Sequence, residues 1–478
     1  MKQDTDVIIV GGGIAGLTSA VGLSQRGLKV TLLERSDRLG GRARSCEDDT
    51  TGQRVDIGPH IVVSQYRNMM RLLRELGTID QVVWQSHPHL ILVDKPRPVV
   101  MRLRSLIAPL HFAPSLLNVP QVSLADLLSN RRVLWQILRL DHEKMLELDA
   151  INAEEHLLSM GVSARAVDWF WRSAAMTIMN TPLEHCSTGA LFRFIRFLAG
   201  RNDYQVGFAG DTLSDLFAPG AAERIEAAGG QLLLNTDVQR LELEGNRFAG
   251  VRLQDGTIIA AKACIVAVPP QDLKAMLPSS ASGKETVFGQ LDGFKPSPYI
   301  CSYLWFDRKL TDEPFWTKVW GKDNLNYDFY DLSNIKPALK AQPSVIASNC
   351  MYSLESAALD DAEIVRRTLA EVAEYLPEAA EARVLHARVH RIPMGIAQPS
   401  PGTERLRPDS RTPLERLYLA GDWINTGLPS SMESATRAGW LAAEQVLSDR
   451  GEPCQLAEPL PPLTGLARLV GGRQHVHE

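Results

Sequence analysis

The stretch that most restricts how this chain can fold is its beginning, DVIIVGGGIAGLTSAVGLSQRGLKVTLLE, from Asp6 to Glu34. Val7 to Val10 is a short apolar run of mostly β-branched residues, the pattern of a strand covered on both faces. Gly11, Gly13 and Gly16 follow as G-x-G-x-x-G, and the apolar spacing from Ile14 to Arg26 predicts a helix. A second β run, Lys29 to Leu33, ends at Glu34, 18 residues past Gly16. Each part has a mechanical reason. The first glycine permits a tight turn, the second admits a pyrophosphate to the backbone, and the third lets helix and strand pack closely. Unpaired N–H groups at the helix start, around Ile14 and Ala15, attract the diphosphate. Glu34 is placed to accept a hydrogen bond from a ribose hydroxyl. Glycines alone are weak evidence; strand, glycines, helix, strand and acid in register predict a dinucleotide-binding unit.

At 478 residues the chain exceeds one core and predicts two or three domains. Its 45% hydrophobic and 22% charged residues are those of a globular protein, and a formal charge of −5 argues against a nucleic-acid binder. Six dispersed cysteines without C-x-x-C fit a reduced, cytoplasmic protein with no disulfide framework or zinc site. His87 and His89 form H-P-H, but with no third ligand in sequence reach no metal is expected. Ser105 to Ala125 lacks formal charge, yet Pro109, Pro114 and Pro120 interrupt it, so no transmembrane helix is expected.

After Glu34 and Arg35, a second glycine pair, Gly40-Gly41, precedes Arg42 and offers a phosphate both backbone N–H groups and a cation. Asp56, Gly58, Pro59 and His60 form a turn, and Tyr66 to Gly77 reads as an amphipathic helix. From about residue 95 to 205 the chain becomes helical and apolar. Lys95 to Arg139 holds seven cations (Lys95, Arg97, Arg102, Arg104, Arg131, Arg132 and Arg139) against Asp126, a local balance of +6. Leu106, Ile107, Leu110, Phe112, Leu116, Leu117 and Trp135 surround them. An apolar wedge with a basic rim suits docking on anionic lipid, and a solvated basic face on a helical cap is the alternative. The aromatic run Trp169 to Trp171 after Asp168 is either core or the wall of an apolar tunnel. A helix, a strand at Gln231 to Leu234, a hairpin turning at Asp255-Gly256 and a strand from Ala263 follow. Mixed β-like runs occupy 290 to 395. RLYLAGDWINTGLPSSMESATRAGWLAAEQVL then gives a strand, a turn at Gly421-Asp422 and a helix from Ser431. The proline-rich tail is expected to be disordered, with the apolar LTGLARLV as an alternative membrane contact.

The order G-x-G-x-x-G, Glu34, LGGRARS, DIGPH, NTDVQRLE, VAVPP and LAGDWINTGLPSSMESATRAG resembles the flavin-dependent amine oxidase and phytoene desaturase superfamily over nearly the whole chain. DIGPHIVVSQYRNMMRLLRELG is similar to plant-type phytoene and ζ-carotene desaturases and to bacterial hydroxysqualene dehydroxylases. The ending is most similar to the dehydroxylases. The resemblance implies an α/β fold: a Rossmann-type FAD domain of the glutathione-reductase-like kind, with an inserted α+β substrate domain. It would assign 1–94, 205–289 and 396–450 to FAD binding, 95–204 and 290–395 to the substrate or membrane side, and 451–478 to a tail. By resemblance Gly11, Gly13 and Gly16 line the pyrophosphate, and Glu34 holds the ribose with Arg35 beside it. Gly41, Arg42, Gly421 and Asp422 follow the diphosphate and ribityl chain. Val238 meets adenine, while Gly58, Pro59 and His60 pass the flavin ring. The Met432 N–H, with Ser431 before it, faces the flavin O2. Two departures stand out. Ser64 replaces a usual glycine, and Ser431 replaces an aromatic wall of the amine cage, which argues against amine oxidation. No cysteine lies near the final motif, so a non-covalent FAD is expected.

The implied chemistry is hydride exchange at an allylic carbon of a long isoprenoid, with His60 either an acid–base group or a structural turn residue. The ending ranks dehydroxylation of hydroxysqualene first, cis-carotene desaturation second and amine oxidation third. The enzyme is expected on the inner face of the cell membrane. A nicotinamide dehydrogenase or a flavin-free prenyl carrier are the rival classes. The sequence leaves the oligomeric state open.

Overall fold

The computed structural model describes residues 5–85, 89–95, 97–102, 106–278, 281 and 287–470. Three stretches far apart in sequence build one parallel sheet. Its strands stand side by side in the order Gln231–Leu233, Val30–Leu33, Val7–Val10, Ala263–Val266 and Leu417–Leu419. Val7–Val10 lies at its centre and is buried throughout, as an unbroken apolar run requires. One face is covered by the helices Ile14–Ser24 and Met432–Asp449, which approach closely because small residues meet. Ser19 Oγ donates to Gly439 O at 2.9 Å, and a Cβ on Gly439 would overlap Ala15 O. The other face carries a three-stranded antiparallel layer, Val238–Glu244, Arg247–Leu253 and Ile258–Ala260. Val238, Leu241, Phe248 and Val251 from that layer join Ile8, Val10 and Val266 in one core. The second and third strands turn at Asp255-Gly256, with Gly256 at φ +86°.

A second, seven-stranded sheet runs Val384–Ala397, Pro296–Phe306, Val345–Cys350, Asp328–Asp331, Phe315–Lys318, His89–Val93 and Val99–Arg102. His89–Val93 thus belongs to this sheet, pairing in parallel with Phe315–Lys318, and not to the nucleotide-side segment 1–94. The boundary moves earlier because Ile91 and Val93 bury themselves among Leu304, Trp316 and Phe329. Residues 113–199 form a helical layer with its own core around Val133, Ile137, Leu157, Trp171 and Phe192.

The tail departs from the expected disorder as far as it is described. Leu456 and Ala457 enter the first core, Glu444 accepts from both their N–H groups, and Asn68 Oδ1 accepts from Glu458 N at 2.8 Å. A short helix, Gly465–Val470, then packs on Ala108, whose carbonyl accepts from Leu466 N at 3.0 Å. Buried apolar surface and satisfied backbone outweigh the proline-rich composition. Residues 471–478, Arg104 and His87 lie outside the described residues. No described helix is long and apolar enough to cross a membrane, and no described His, Cys, Asp and Glu group could hold a metal.

Candidate cofactor and substrate site

The three N-terminal glycines do different work. Gly11 has φ +104°, and a Cβ there would stand 2.7 Å from Ala267 O. A Cβ on Gly16 would overlap Gly11 O, so that glycine sets the contact between strand and helix and does not itself line the cavity. A Cβ on Gly13 would meet nothing nearer than Gly41 Cα at 3.9 Å. Gly13 therefore leaves open room at the start of the 11-residue helix, whose first turn carries no acid. Opposite it, Gly40 N donates to Gly12 O at 2.9 Å, and Gly40 and Gly41 both take positive φ.

Glu34 stands at the end of Val30–Leu33, 8% exposed. Its Oε2 accepts from Gly12 N at 2.7 Å and its Oε1 from Ser36 N at 2.9 Å. The carboxylate thus ties two loops together, and the remaining lone pairs are what it can offer a ribose. Arg35 pairs with Asp272 at 3.2 Å, and Val238 begins the strand beneath.

Arg42 and Asp422 join the first and last parts of the chain. Arg42 Nη2 lies 2.5 Å from Asp422 Oδ1, and Nη1 donates to Gly395 O at 2.8 Å. Burial alone would lower the Arg42 pKa, yet the Asp422 carboxylate more than offsets that and holds it up. Gly421, at φ +137°, makes the turn before Asp422, and Arg407 Nη1 donates to Asp422 O at 2.8 Å. Ser431 caps the final helix by accepting from Ser434 N at 3.1 Å, which leaves Met432 at its first position on the cavity wall. Glu433 turns the other way. It accepts from Asn68 N, Asn68 Nδ2 and Met69 N at 3.0, 2.8 and 2.9 Å, capping the helix Arg67–Leu76. Burial pushes its carboxyl up to about 7 against those donors.

The turn with Gly58, Pro59 and His60 packs against the large sheet, where Asn349 Nδ2 donates to Pro59 O. Gly58 does not reach the cavity; a Cβ there would overlap the Tyr299 hydroxyl. Pro59 and His60 do line it. His60 Nδ1 donates to Gly58 O at 2.8 Å, so the turn fixes one ring nitrogen. Burial lowers the His60 pKa, which keeps the imidazole neutral and leaves Nε2 as an acceptor.

These groups border one cavity of about 1340 Å³, more than one drug-sized ligand fills. Gly11, Gly13, Ile14, Ala15, Glu34, Arg35, Gly41, Arg42, Val238, Gly421, Asp422, Ser431 and Met432 line its polar end. Beyond Pro59 and His60 the wall becomes apolar, with Leu92, Met101, Phe112, Leu116 and Phe194. Trp169, Phe170 and Trp171 also line it, on a π-helical turn; Trp171 at the same time fills the helical core and donates to Asn130 Oδ1 at 2.8 Å. Sequence reasoning missed Asp328, Asn349, Thr317 and Tyr299, which the large sheet aims at the same space. Strand alternation was their only signal, and it does not say which face meets a cavity.

The residues present fit a flavin dinucleotide. Gly13 leaves the backbone open where a pyrophosphate would lie, and two helix starts, at Ile14 and Met432, face the cavity. The profile of the family described as "Flavin containing amine oxidoreductase" matches residues 14–447. The chain is 28% identical over 468 residues to a tomato (Solanum lycopersicum) 15-cis-phytoene desaturase, covering 93% of this chain and 78% of that protein. It is 26% identical over 463 residues to the 15-cis-phytoene desaturase of Synechococcus elongatus, covering 93% and 96%. In fold it is similar to cyclohexylamine oxidase from Brevibacterium oxydans, with a TM-score of 0.69 at 17% identity over 94% of this chain and 100% of that one. The profile match over most of the chain makes it a member of the flavin containing amine oxidoreductase family and so an FAD-dependent oxidoreductase, with phytoene desaturases among the proteins it is similar to.

Proposed function

We propose that the enzyme desaturates a long, apolar isoprenoid of the cis-carotene class, using a non-covalently held FAD. The observation that carries this reading is the single cavity that runs from the glycine cradle into a leucine- and aromatic-lined chamber. Its relatives favour desaturation over the dehydroxylation of hydroxysqualene that the ending of the sequence ranks first. The flavin, when bound, supplies a two-electron acceptor for hydride. The chain's own residues do the rest. Gly13, Gly41 and Arg42 hold the diphosphate, Glu34 the ribose, and the Met432 N–H at a helix start stabilises negative charge on the ring. The apolar walls exclude water and align the hydrocarbon.

Entry from a lipid surface completes the reading. Leu110, Leu117, Leu124, Leu128 and Leu134 line the cavity and are exposed, Leu117 by 63% and Leu124 by 61%, which suits its mouth. Exposed Ile107, Trp135 and Leu469 extend this collar, and Arg102, Arg131, Arg132 and Arg139 lie exposed on the same stretch. A patch of this kind is costly in water and suits the anionic inner leaflet of the cell membrane. The deciding experiment is anaerobic incubation of the FAD-loaded protein with phytoene, hydroxysqualene and cyclohexylamine while the flavin spectrum is followed. Bleaching by phytoene is expected. Bleaching by the amine alone overturns the proposal, and turnover of hydroxysqualene by the reduced enzyme without phytoene bleaching restores dehydroxylation.

A further inference from the structure

The seven-stranded sheet presents one face to the cavity, and on it Thr317, Asp328 and Asn349 form a row across three adjacent strands. Thr317 stands opposite Asp328, and Asp328 opposite Asn349. All three line the cavity with Phe315 and Tyr330. Asn349 Nδ2 donates to Pro59 O at 3.3 Å, which ties the row to the Pro59-His60 turn. Among the described residues, Asp328 is the one acid that this sheet contributes to the cavity wall.

Asp328 is 6% exposed, and no described cation pairs with it. Lys318, beside Thr317, sends its ammonium away to Glu371 and Glu374 at 3.3 and 3.2 Å. Tyr330, Tyr299 and Tyr66 are held un-ionised by burial, and Asn349 is neutral. Burial pushes the Asp328 carboxyl up to about 7, with the Thr317 hydroxyl opposing only part of the shift. A buried carboxyl without a cation costs folding free energy that a leucine would not. Such a group is poised to exchange a proton near neutrality.

We infer that Asp328 is a catalytic residue that takes a proton from the hydrocarbon chain; this rests on the isoprenoid reading. Desaturation breaks C–H bonds on adjacent carbons. One hydrogen leaves with its electron pair as hydride, for which the bound flavin is the acceptor. The other leaves as a proton, and its bonding pair becomes the new π bond. In that second cleavage the Asp328 carboxylate forms the O–H bond, then returns the proton to water. Before the proton leaves, the carboxylate also faces the positive charge on the carbon chain, which nothing else on this sheet's cavity face neutralises.

The test uses FAD-loaded enzyme in detergent, titrated with a long prenyl dimethylamine, a cation that imitates the charged chain, and with the alcohol of the same skeleton. Wild type should bind the amine at least tenfold more tightly than the alcohol at pH 8, and should lose most of that preference at pH 6 as Asp328 takes up a proton. Glu433 also titrates near this range, but it is turned from the cavity onto Asn68 and Met69. His60, on the same cavity, has its pKa lowered by burial, so it does not take up a proton in step with Asp328. Asp328→Asn should bind both ligands alike at both pH values. It should also slow a single anaerobic turnover of phytoene at least 100-fold with its flavin retained, while Asp328→Glu restores part of the rate. An amine preference that persists in Asp328→Asn, or turnover within threefold of wild type, overturns the role. So does a wild type that binds the alcohol but shows no pH-dependent preference for the amine, whatever the variants do. Should wild type bind neither ligand, the isoprenoid reading itself falls.

Discussion

Gly13 and Gly16 lie three residues apart and predict opposite phenotypes. A valine at Gly13 would project into the open cradle, its Cβ meeting only Gly41, so Gly13→Val should fold, with an unchanged circular dichroism spectrum, yet purify without yellow colour. A side chain at Gly16 has no room between helix and strand, so Gly16→Val should fail to accumulate as folded protein. Glu34→Ala should weaken FAD by about 1–3 kcal/mol, read by flavin titration, the typical cost of leaving buried donors unpaired. It should also lower the melting temperature of the flavin-free protein, because Gly12 N and Ser36 N lose their acceptor in either state. Loss of flavin affinity without loss of stability would mean that the carboxylate serves only the ribose.

Element by element, the start of the helix Met432–Asp449 serves two helices. Its cap, Ser431, fixes where the helix begins, and Glu433 satisfies two of the N-terminal donors of Arg67–Leu76, so one helix start closes another. The collar from Leu106 to Trp135 makes a separate prediction. Replacing Arg102, Arg131 and Arg132 by Gln should weaken binding to anionic vesicles at least tenfold, since each cation near such a surface contributes about 1 kcal/mol. Added salt should weaken wild type in the same direction. Unchanged co-sedimentation would leave the basic face merely solvated, the alternative that composition always allowed. The described tail acts as a strap over this region, holding Leu456 in the nucleotide-side core and the last helix against Ala108.

Across the whole molecule, buried charge clamps the parts together. Glu404 pairs with Arg193 of the helical layer at 2.5 Å and with Arg407 at 3.0 Å, and Arg407 in turn holds the Asp422 carbonyl at the cofactor turn. Burial would raise the Glu404 pKa, but the two guanidiniums outweigh it and hold the carboxyl down. Glu404→Ala would leave two buried cations uncompensated and should cost about 3–5 kcal/mol, with flavin affinity falling alongside, in denaturant unfolding followed by flavin fluorescence. None of this clamp was legible in sequence, since Arg193, Glu404 and Arg407 have no local pattern. The nucleotide half was legible because its signals are local: Gly11 to Glu34 spell strand, turn, helix and strand within one supersecondary unit, and Ser431 and Met432 announce a helix start. Sequence could not place His89–Val93 in the second sheet, bury Leu456, or turn Asp328 toward the cavity. Those outcomes depend on which strands pair and which face a layer covers, interactions between residues hundreds of positions apart. Local chain stiffness and hydrophobic period wrote the elements and the cofactor grip into the sequence, whereas long-range packing alone decided the chamber and the acid that faces it.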